Sequence, residues 1–415
     1  MGTGQLFKKI FDFIFNFIQT KLSERIFTMT IIKNAHILTM SDTGEIKNGY
    51  IIITNGKIDD VGEMTSIPDL SEAEVIDADG AFVTPGMVDA HSHIGMWEDG
   101  LNFEGSDGNE ETDPITPHLR AIDAVNPMDK AFTEAAAAGI TTVVTGPGSA
   151  NPIGGQLLAM KTVGKCVDKM KILEPLAIKA AFGENPKSVY NDKSQTPTTR
   201  MAVAAQIREA LYKASEYMDR INKAEADEDE EMPDFDMKLE ALLPIMKGEL
   251  PLHVHAHRAD DIFTAIRIAE EFDIKLVLVH ATEGHLIWGE LKEKNIPVLA
   301  GPILTDRSKP ELKNMSEITP AVLTAAGIKT AIITDHPETP QKHLALCAGM
   351  AVRYGMSVSD ALHAITSVPA EICGIGDRVG KISAGYDADI VVWNGAPLDI
   401  TSAPRLVLCD GNKVG

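Results

Sequence analysis

The chain has 415 residues, which is long for one simple core and suits a barrel of about 250 residues with a smaller module beside it. Hydrophobic residues make up 44% of the sequence and charged residues 24%, as in a packed soluble protein. The formal net charge of −22 argues against nucleic acid or an anionic membrane as the main partner, because phosphate groups would be repelled.

Residues 1–28 stand apart from the rest of the sequence. Apolar side chains recur at helical spacing between Leu6 and Phe27, and polar ones fall mostly on the opposite face. We predict an amphipathic helical extension that lies in a membrane interface, packs on its own domain or is not native to the chain. The stretch MTIIKNAHILTM, which begins at Met29, resembles the start of a chain and supports this boundary. Since the sequence has no run of about 18 apolar residues that would predict a transmembrane helix, membrane association is expected only through the extension.

Short strands separated by turns follow from Thr30, in the stretches IIKNAHILTM, YIIITNGKI and EVIDADG. Near the C-terminus, DADIVVWNG and RLVLCDGNKV have the same texture. We infer one small β-sandwich module that is built from both chain ends, residues 29–84 and 376–415. The barrel, residues 85–375, is then inserted between the two parts.

The middle of the chain alternates apolar strands with helical stretches, as a (β/α)8 TIM-like barrel of the α/β class requires. Helical spacing is clearest over residues 199–223, 259–272 and 345–354. The acidic run at 225–231 is best explained as a solvated loop. The predicted barrel strands cover residues 82–93, 140–145, 156–161, 176–181, 252–257, 274–280, 297–300 and 329–335.

The sharpest chemical signal is the pair His91 and His93 at the end of an apolar strand. Side chains alternate along a strand, so both imidazoles point to one side while Ser92 points to the other. Two neutral ring nitrogens held close together suit a Zn²⁺ site. An HxH pair alone is a weak signal, and the strand and turn that precede it make the signal much stronger.

These motifs resemble those of a known family. TPGMVDAHSHIG, residues 84–95, resembles the first barrel strand of the amidohydrolase superfamily. GKISAGYDADIVVWNG, residues 380–395, resembles the place where that superfamily's chain returns to its β-module. The resemblance covers roughly residues 30–415 and is closest to the imidazolonepropionase-like and Xaa-Pro-dipeptidase-like branch.

The resemblance implies further metal ligands at the ends of later strands. In PLHVHAHRADDI it favours His255 as a ligand, with His257 nearer the rim and facing the substrate. His253, deeper in the barrel, is expected to be a core histidine satisfied by hydrogen bonds. His280 in IKLVLVHATEGH matches the ligand of strand six. Asp335 in IKTAIITDHPETP matches the superfamily's aspartate and is expected to touch one metal and to act as general base on the attacking water.

Strand four decides how many metals are held. In LAIKAAFGENPK, Lys179 resembles the lysine that two-metal members carboxylate, since a CO₂-derived carbamate has two oxygens that span two cations about 3.5–4 Å apart. An ordinary barrel lysine with its head group in water is the plainer explanation. Glu184 is the first alternative bridge and Lys161 the second. Without any of them the site would hold one metal.

We therefore expect one or two divalent metal ions, Zn²⁺ first, although manganese, iron or cobalt would also bind. The expected reaction is hydrolysis of a C–N amide bond in a cyclic amide, an N-acyl amino acid or a dipeptide, by metal-activated hydroxide. Loops after the strands should bind the substrate, with residues 97–127 as a lid or rim. These loops offer His118, Tyr190 and Arg200, each of which is equally explained as an ordinary surface or structural residue.

Two other functions stay open. Deaminases of the same superfamily resemble each other in an HxxE motif after strand five, and here Ala256, Arg258 and Asp260 stand where that glutamate would follow a histidine. A mononuclear deaminase or an imidazolone-type hydrolase is therefore the second enzyme hypothesis. A catalytically silent scaffold would have lost ligands that this sequence keeps. The expected partners are a small-molecule substrate and further copies of the chain, and the 4 scattered cysteines indicate a reducing, cytoplasmic compartment.

Overall fold

The structure, a computed structural model, describes residues 29–69 and 73–414. The predicted amphipathic extension, residues 1–28, lies outside these described residues. Within them, no helix is both long enough and apolar enough to span a membrane.

Strands come from both ends of the described chain and from its middle. In chain order they are β1 (Met29–Leu38), β2 (Glu45–Thr54), β3 (Lys57–Glu63), β4 (Glu74–Asp77), β5 (Phe82–Pro85), β6 (Met87–Ser92), β7 (Ile140–Thr145), β8 (Ile153–Gln156), β9 (Leu158–Lys161), β10 (Lys171–Leu173), β11 (Ile178–Ala181), β12 (Leu252–Ala256), β13 (Leu276–His280), β14 (Val298–Ala300), β15 (Thr330–Ile332), β16 (Ile390–Trp393), β17 (Pro404–Cys409) and β18 (Asn412–Lys413).

The α-helices lie between and after the strands of the middle region. They are α1 (Lys130–Ala137), α2 (Val167–Met170), α3 (Glu184–Asp192), α4 (Arg200–Ala226), α5 (Met237–Met246), α6 (Ala259–Phe272), α7 (Trp288–Lys294), α8 (Thr319–Ala325), α9 (Leu344–Arg353), α10 (Val358–His363) and α11 (Ser367–Ile372). The three helices predicted most clearly from the sequence correspond to α4, α6 and α9. The acidic run starts in the last turn of α4 and continues as an exposed loop.

Strands from the two chain ends share one hydrogen-bonded sheet. Its order is β18-β17-β16-β5-β1-β2-β3, and β4 pairs with the first half of β1. The two ends of the chain meet where β5 pairs antiparallel with β16, with Pro85 opposite Ile390. Buried aliphatic side chains such as Ile32, Ile51 and Val392 form its core. Where the module and the barrel begin and end stays a prediction.

The remaining strands form two sheets whose edges adjoin. Their orders are β10-β9-β7-β6 and β15-β14-β13-β12-β11-β8. At one seam, the Asp335 N–H donates to the His91 carbonyl oxygen at 3.2 Å. At the other, Leu157 links β8 directly to β9, and its N–H donates to the Ala177 carbonyl oxygen at 2.9 Å. The strands therefore follow one another around eight positions, as the predicted TIM-like barrel requires.

The third strand position departs from a regular barrel, in which all strands are parallel. Here β9 runs antiparallel to β7, and β8 runs antiparallel to β11. The cause is the short link over residues 146–152 between β7 and β8. A parallel pair needs a crossover of a dozen or more residues, so this link permits only an antiparallel return.

Lys161, at the end of β9, joins the barrel to the β-module instead of bridging metals. Its Nζ lies 2.8 Å from an Asp389 oxygen, 3.0 Å from Asp387 and 2.9 Å from Asp410. Burial opposes the charge, but the nearby carboxylates hold the pKa of Lys161 above its ordinary value. A charge that three carboxylates bind in this way stabilises the fold and is not available as a ligand, so the sequence-based alternative of a Lys161 bridge is wrong.

We expect Lys161→Met to lower the free energy of unfolding by about 3–5 kcal/mol, because it leaves buried carboxylates without their cation. Chemical denaturation followed by circular dichroism measures the loss. Lys165→Met is the matched control, since Lys165 is exposed in the loop just after β9, and it should change stability by at most about 0.5 kcal/mol. Equal stability of the two variants would contradict the prediction.

Candidate metal centre

Two groups of three potential metal ligands lie at the carboxyl ends of the barrel strands. The ligand atoms within each group are all within 4.8 Å of one another. In two places the backbone is left-handed, with φ of 72° at His280 and 54° at Asp335. Non-glycine residues adopt this conformation at a cost and often do so at functional sites. The first group is His91, His93 and Asp335, and the second is His255, His257 and His280.

In the first group, one carboxylate oxygen faces two imidazoles. Asp335 Oδ1 lies 3.3 Å from His91 Nε2 and 3.2 Å from His93 Nε2. The other ring nitrogen of His93, Nδ1, donates to the Gly146 carbonyl oxygen at 2.7 Å. This bond fixes the ring and leaves the Nε2 lone pair directed at the centre. Burial opposes a charge on Asp335, but the surrounding histidines hold its pKa well below the ordinary value.

The second group is oriented in the same way. His280 Nδ1 donates to the Gly301 carbonyl oxygen at 2.8 Å, and His257 Nδ1 lies 2.7 Å from the Thr282 hydroxyl. Burial lowers the pKa of His280 to about 4 and lowers those of His255 and His257 well below their ordinary value. Burial therefore favours the neutral form of these rings, which is the form that binds metals.

The donor set fits a divalent cation. The Nε2 atoms of His255 and His257 are buried and find no hydrogen-bond partner among the described residues. Buried polar atoms without partners are costly, so such atoms in a native structure call for a bound group that satisfies them. Imidazole nitrogens and carboxylate oxygens together suit zinc and its neighbours in the first transition series.

Lys179 lies beside the first group. It is 1% exposed on β11, and its Nζ is 3.1 Å from His91 Nε2. Burial lowers the pKa of this amine to about 8. Glu184 is the alternative bridge, and its Oε2 accepts a hydrogen bond from the backbone N–H of Glu311 at 3.2 Å. Of Lys179 and Glu184, Lys179 is the residue that contacts a histidine of the first group.

His253 differs from the expectation of a core histidine satisfied by hydrogen bonds. It is fully buried on β12, and neither ring nitrogen has a partner among the described residues. Burial and the neighbouring Lys179 lower its pKa to about 3. In the sheet it is paired in register with Lys179. The sequence alone could not show that its ring has no partner.

A cavity of about 480 Å³ opens above both groups. This volume is typical of a small-molecule site. The long insert contributes Trp97 and Asn109 to its walls, as predicted for a rim, and Lys309 comes from the loop after β14. Sequence patterns did not single out Lys309, because nothing in its loop has a strand or helix period.

Three residues that the sequence suggested for substrate binding do not line this cavity. His118 lines a separate cavity near α5. Arg200 donates from Nε to Asp261 at 2.9 Å, so its charge is already paired. Tyr190 is fully buried inside the protein. His257 does line the cavity, together with His93, His255 and Asp335.

Comparison with known proteins identifies the family. Residues 82–414 match the profile of the Amidohydrolase family. The chain belongs to this family, which confirms the resemblance found in its sequence.

Individual relatives agree with this assignment. The crystal structure of an amidohydrolase from Thermotoga maritima MSB8 is 44% identical, covers 93% of this chain and 99% of its own, and superposes with a TM-score of 0.89. Amidohydrolase tasK of Hapsidospora irregularis is 31% identical over 88% of this chain, which spans only 39% of that relative's length. An imidazolonepropionase of Paracoccus denitrificans (strain Pd 1222) is 25% identical, over 88% of this chain and 94% of its own.

Zinc should stabilise the chelator-treated protein, because a cation that binds only the folded state shifts the unfolding equilibrium. The expected gain is about 2.7 kcal/mol per site when free zinc is 100 times its Kd. Thermal unfolding monitored with and without added ZnCl₂ measures it, and elemental analysis gives the stoichiometry, expected to be two per chain. Mg²⁺, which prefers oxygen ligands, is the control and should have little effect. An unchanged midpoint with zinc, manganese, iron and cobalt would contradict the metal centre.

Proposed function

We propose that this chain is a metal-dependent hydrolase that cleaves a C–N amide bond in a small molecule. The observation behind the proposal is the convergence of two donor groups and a buried lysine at the ends of β6, β11, β12, β13 and β15. Membership of the Amidohydrolase family supports hydrolysis as the reaction type. A catalytically silent scaffold would not need these candidate ligands, so their presence argues against that function.

In this proposal the first cation is held by His91, His93 and Asp335, and the second by the histidines of the second group, with zinc the first choice. Lys179, whose Nζ lies 3.1 Å from His91 Nε2, would supply oxygen donors as its carbamate. When bound, divalent cations polarise a carbonyl oxygen and lower the pKa of water from 15.7 toward about 7.

Asp335 is the proposed general base. Its side chain lines the cavity, and one oxygen already faces the two imidazoles. The other oxygen, Oδ2, takes a proton from the attacking water as the water oxygen bonds to the amide carbon. It then returns the proton to the leaving nitrogen as the C–N bond breaks.

The cavity favours a substrate that has a carboxylate. Lys309 Nζ is the ammonium group among the described residues that line it; it lies 2.8 Å from Glu311 Oε1, and its side chain is 26% exposed, but unlike Arg200 it is part of the cavity wall. Trp97 supplies an apolar wall nearby. An N-acyl amino acid or a dipeptide has both a carboxylate for Lys309 and an amide for the metal centre, and the volume suits molecules of this size.

A screen of N-acyl amino acids, dipeptides and cyclic amides against zinc-reconstituted protein should find turnover. Asp335→Asn should lower kcat by about 100- to 10,000-fold, since it removes the proton acceptor. Asp306→Asn, at an exposed position of the loop after β14, is the control and should keep wild-type kinetics. Turnover retained in Asp335→Asn, or absent from the wild type across the whole screen, would contradict the proposal.

Lys309→Met should raise KM for substrates with a free carboxylate by about 10- to 100-fold, the value of a charge-assisted hydrogen bond. The KM of the corresponding carboxamide substrates should stay near the wild-type value. Steady-state kinetics on matched acid and amide pairs measures the difference. An equal effect on both members of a pair would show that Lys309 does not bind the carboxylate.

A further inference from the structure

We propose that Glu311 is a protein ligand of the second cation and completes a four-donor position with His255, His257 and His280. The inference rests on the proposed function and deepens it. Glu311 belongs to a short 3₁₀ turn, Pro310–Leu312, in the loop after β14. Sequence reasoning gave it no role.

The position of the Glu311 carboxylate is the first argument. Its Oε1 lies 3.6 Å from His257 Nε2 and 3.8 Å from His255 Nε2. These separations are too long for hydrogen bonds. Four donors placed tetrahedrally at about 2.0–2.1 Å from a zinc ion are about 3.3–3.4 Å apart. The gaps from Glu311 Oε1 to His257 and His255 are slightly longer, and the group of ligand atoms that lie within 4.8 Å of one another contains the three histidines without Glu311.

Unsatisfied ring nitrogens are the second argument. Glu311 is 1% exposed, and the Nε2 atoms of His255 and His257 that face its Oε1 are buried without a hydrogen-bond partner in the described chain. A cation among these atoms would give both nitrogens and the carboxylate a partner.

A reciprocal pair of backbone hydrogen bonds holds Glu311 in this orientation. Its Oε2 accepts the Glu184 N–H at 3.0 Å, and its own N–H donates to Glu184 Oε2 at 3.2 Å. Gly183 leaves room for this arrangement, since a Cβ there would lie 2.7 Å from Glu311 Oε2, and its φ is 89°. One carboxylate oxygen is therefore bound to the backbone, and the other is directed at the histidines. Such preorganisation is typical of ligands.

Lys309 offers a competing explanation. Its Nζ lies 2.8 Å from Glu311 Oε1 and also donates to Asn185 Oδ1 at 2.9 Å. On this view Glu311 only neutralises a lysine. That view does not account for the two imidazoles that face the same oxygen, and it predicts that removing Lys309 matters as much as removing the carboxylate.

A four-donor second position has a consequence for Lys179. Three histidines and a carboxylate are a complete tetrahedral set. The second cation would then need no oxygen from a carbamate, although the first position would still gain from one. Zinc binding at the second position should therefore survive the loss of Lys179.

The test measures zinc binding to the full chain by competition with a chromophoric chelator, and cobalt binding by visible absorption. The wild type should hold two ions. Glu311→Gln should hold the first and bind the second at least about tenfold more weakly, with loss of its cobalt absorption. Lys309→Met should keep both ions, and Lys179→Met should keep one. The double variant Lys179→Met with Glu311→Gln should lose that remaining ion as well.

Each contrary outcome has a distinct meaning. Two ions bound by Glu311→Gln with wild-type affinity would overturn the inference and leave the proposed function standing. An equal loss in Lys309→Met would do the same and would favour simple neutralisation. A wild type that binds no zinc would remove the proposed function and the inference together. Circular dichroism of the metal-free variants checks folding, and if Glu311→Gln does not fold, Glu311→Asp, with its shortened carboxylate, should show the same loss of the second ion.

Discussion

The candidate metal centre depends on one constraint, which is that the ring nitrogens of two groups are buried and, within each group, oriented toward one another. Backbone carbonyl groups impose this orientation, because Gly146 and Gly301 each accept the Nδ1–H of a histidine. Five strand ends must hold their positions for the two groups and Lys179 to converge. The left-handed backbone at His280 and Asp335 shows that the fold accepts local strain to achieve this arrangement.

The rim of the site combines rigid and irregular parts. The candidate ligands come from strand ends, where backbone hydrogen bonds hold the chain in place. The groups that would select a substrate come from loops, with Trp97 in the long insert and Lys309 after β14. The insert is itself tied to the barrel, since Ile115 and Arg120 bridge to β8. In the proposed function, the strand ends supply the metal donors and the loops select the substrate.

Sequence reasoning was strong where a residue type coincided with a strand end. His91 and His93 have the period of a strand, and His280 ends an apolar run that the structure confirms as β13. The sequence did not reveal residues whose place in the site depends on tertiary contacts. Glu311 follows no period, and its approach to the histidines depends on backbone bonds to Glu184, which lies far away in the chain. The sequence also could not show that the Arg200 guanidinium pairs with the Asp261 carboxylate.

The reversed third strand has a further effect, on the part that a lysine can play. Chain direction decides at which mouth of a barrel the final side chain of a strand emerges. Since β9 runs backwards, Lys161 sits opposite Thr142, near the beginning of β7, and so at the floor of the barrel. If this strand ran parallel to its neighbours, its last residue would lie at the end of the barrel that carries the candidate metal ligands. The short link between β7 and β8 therefore places the Lys161 ammonium where it joins the barrel to the β-module, away from the end of the barrel that carries the candidate metal ligands.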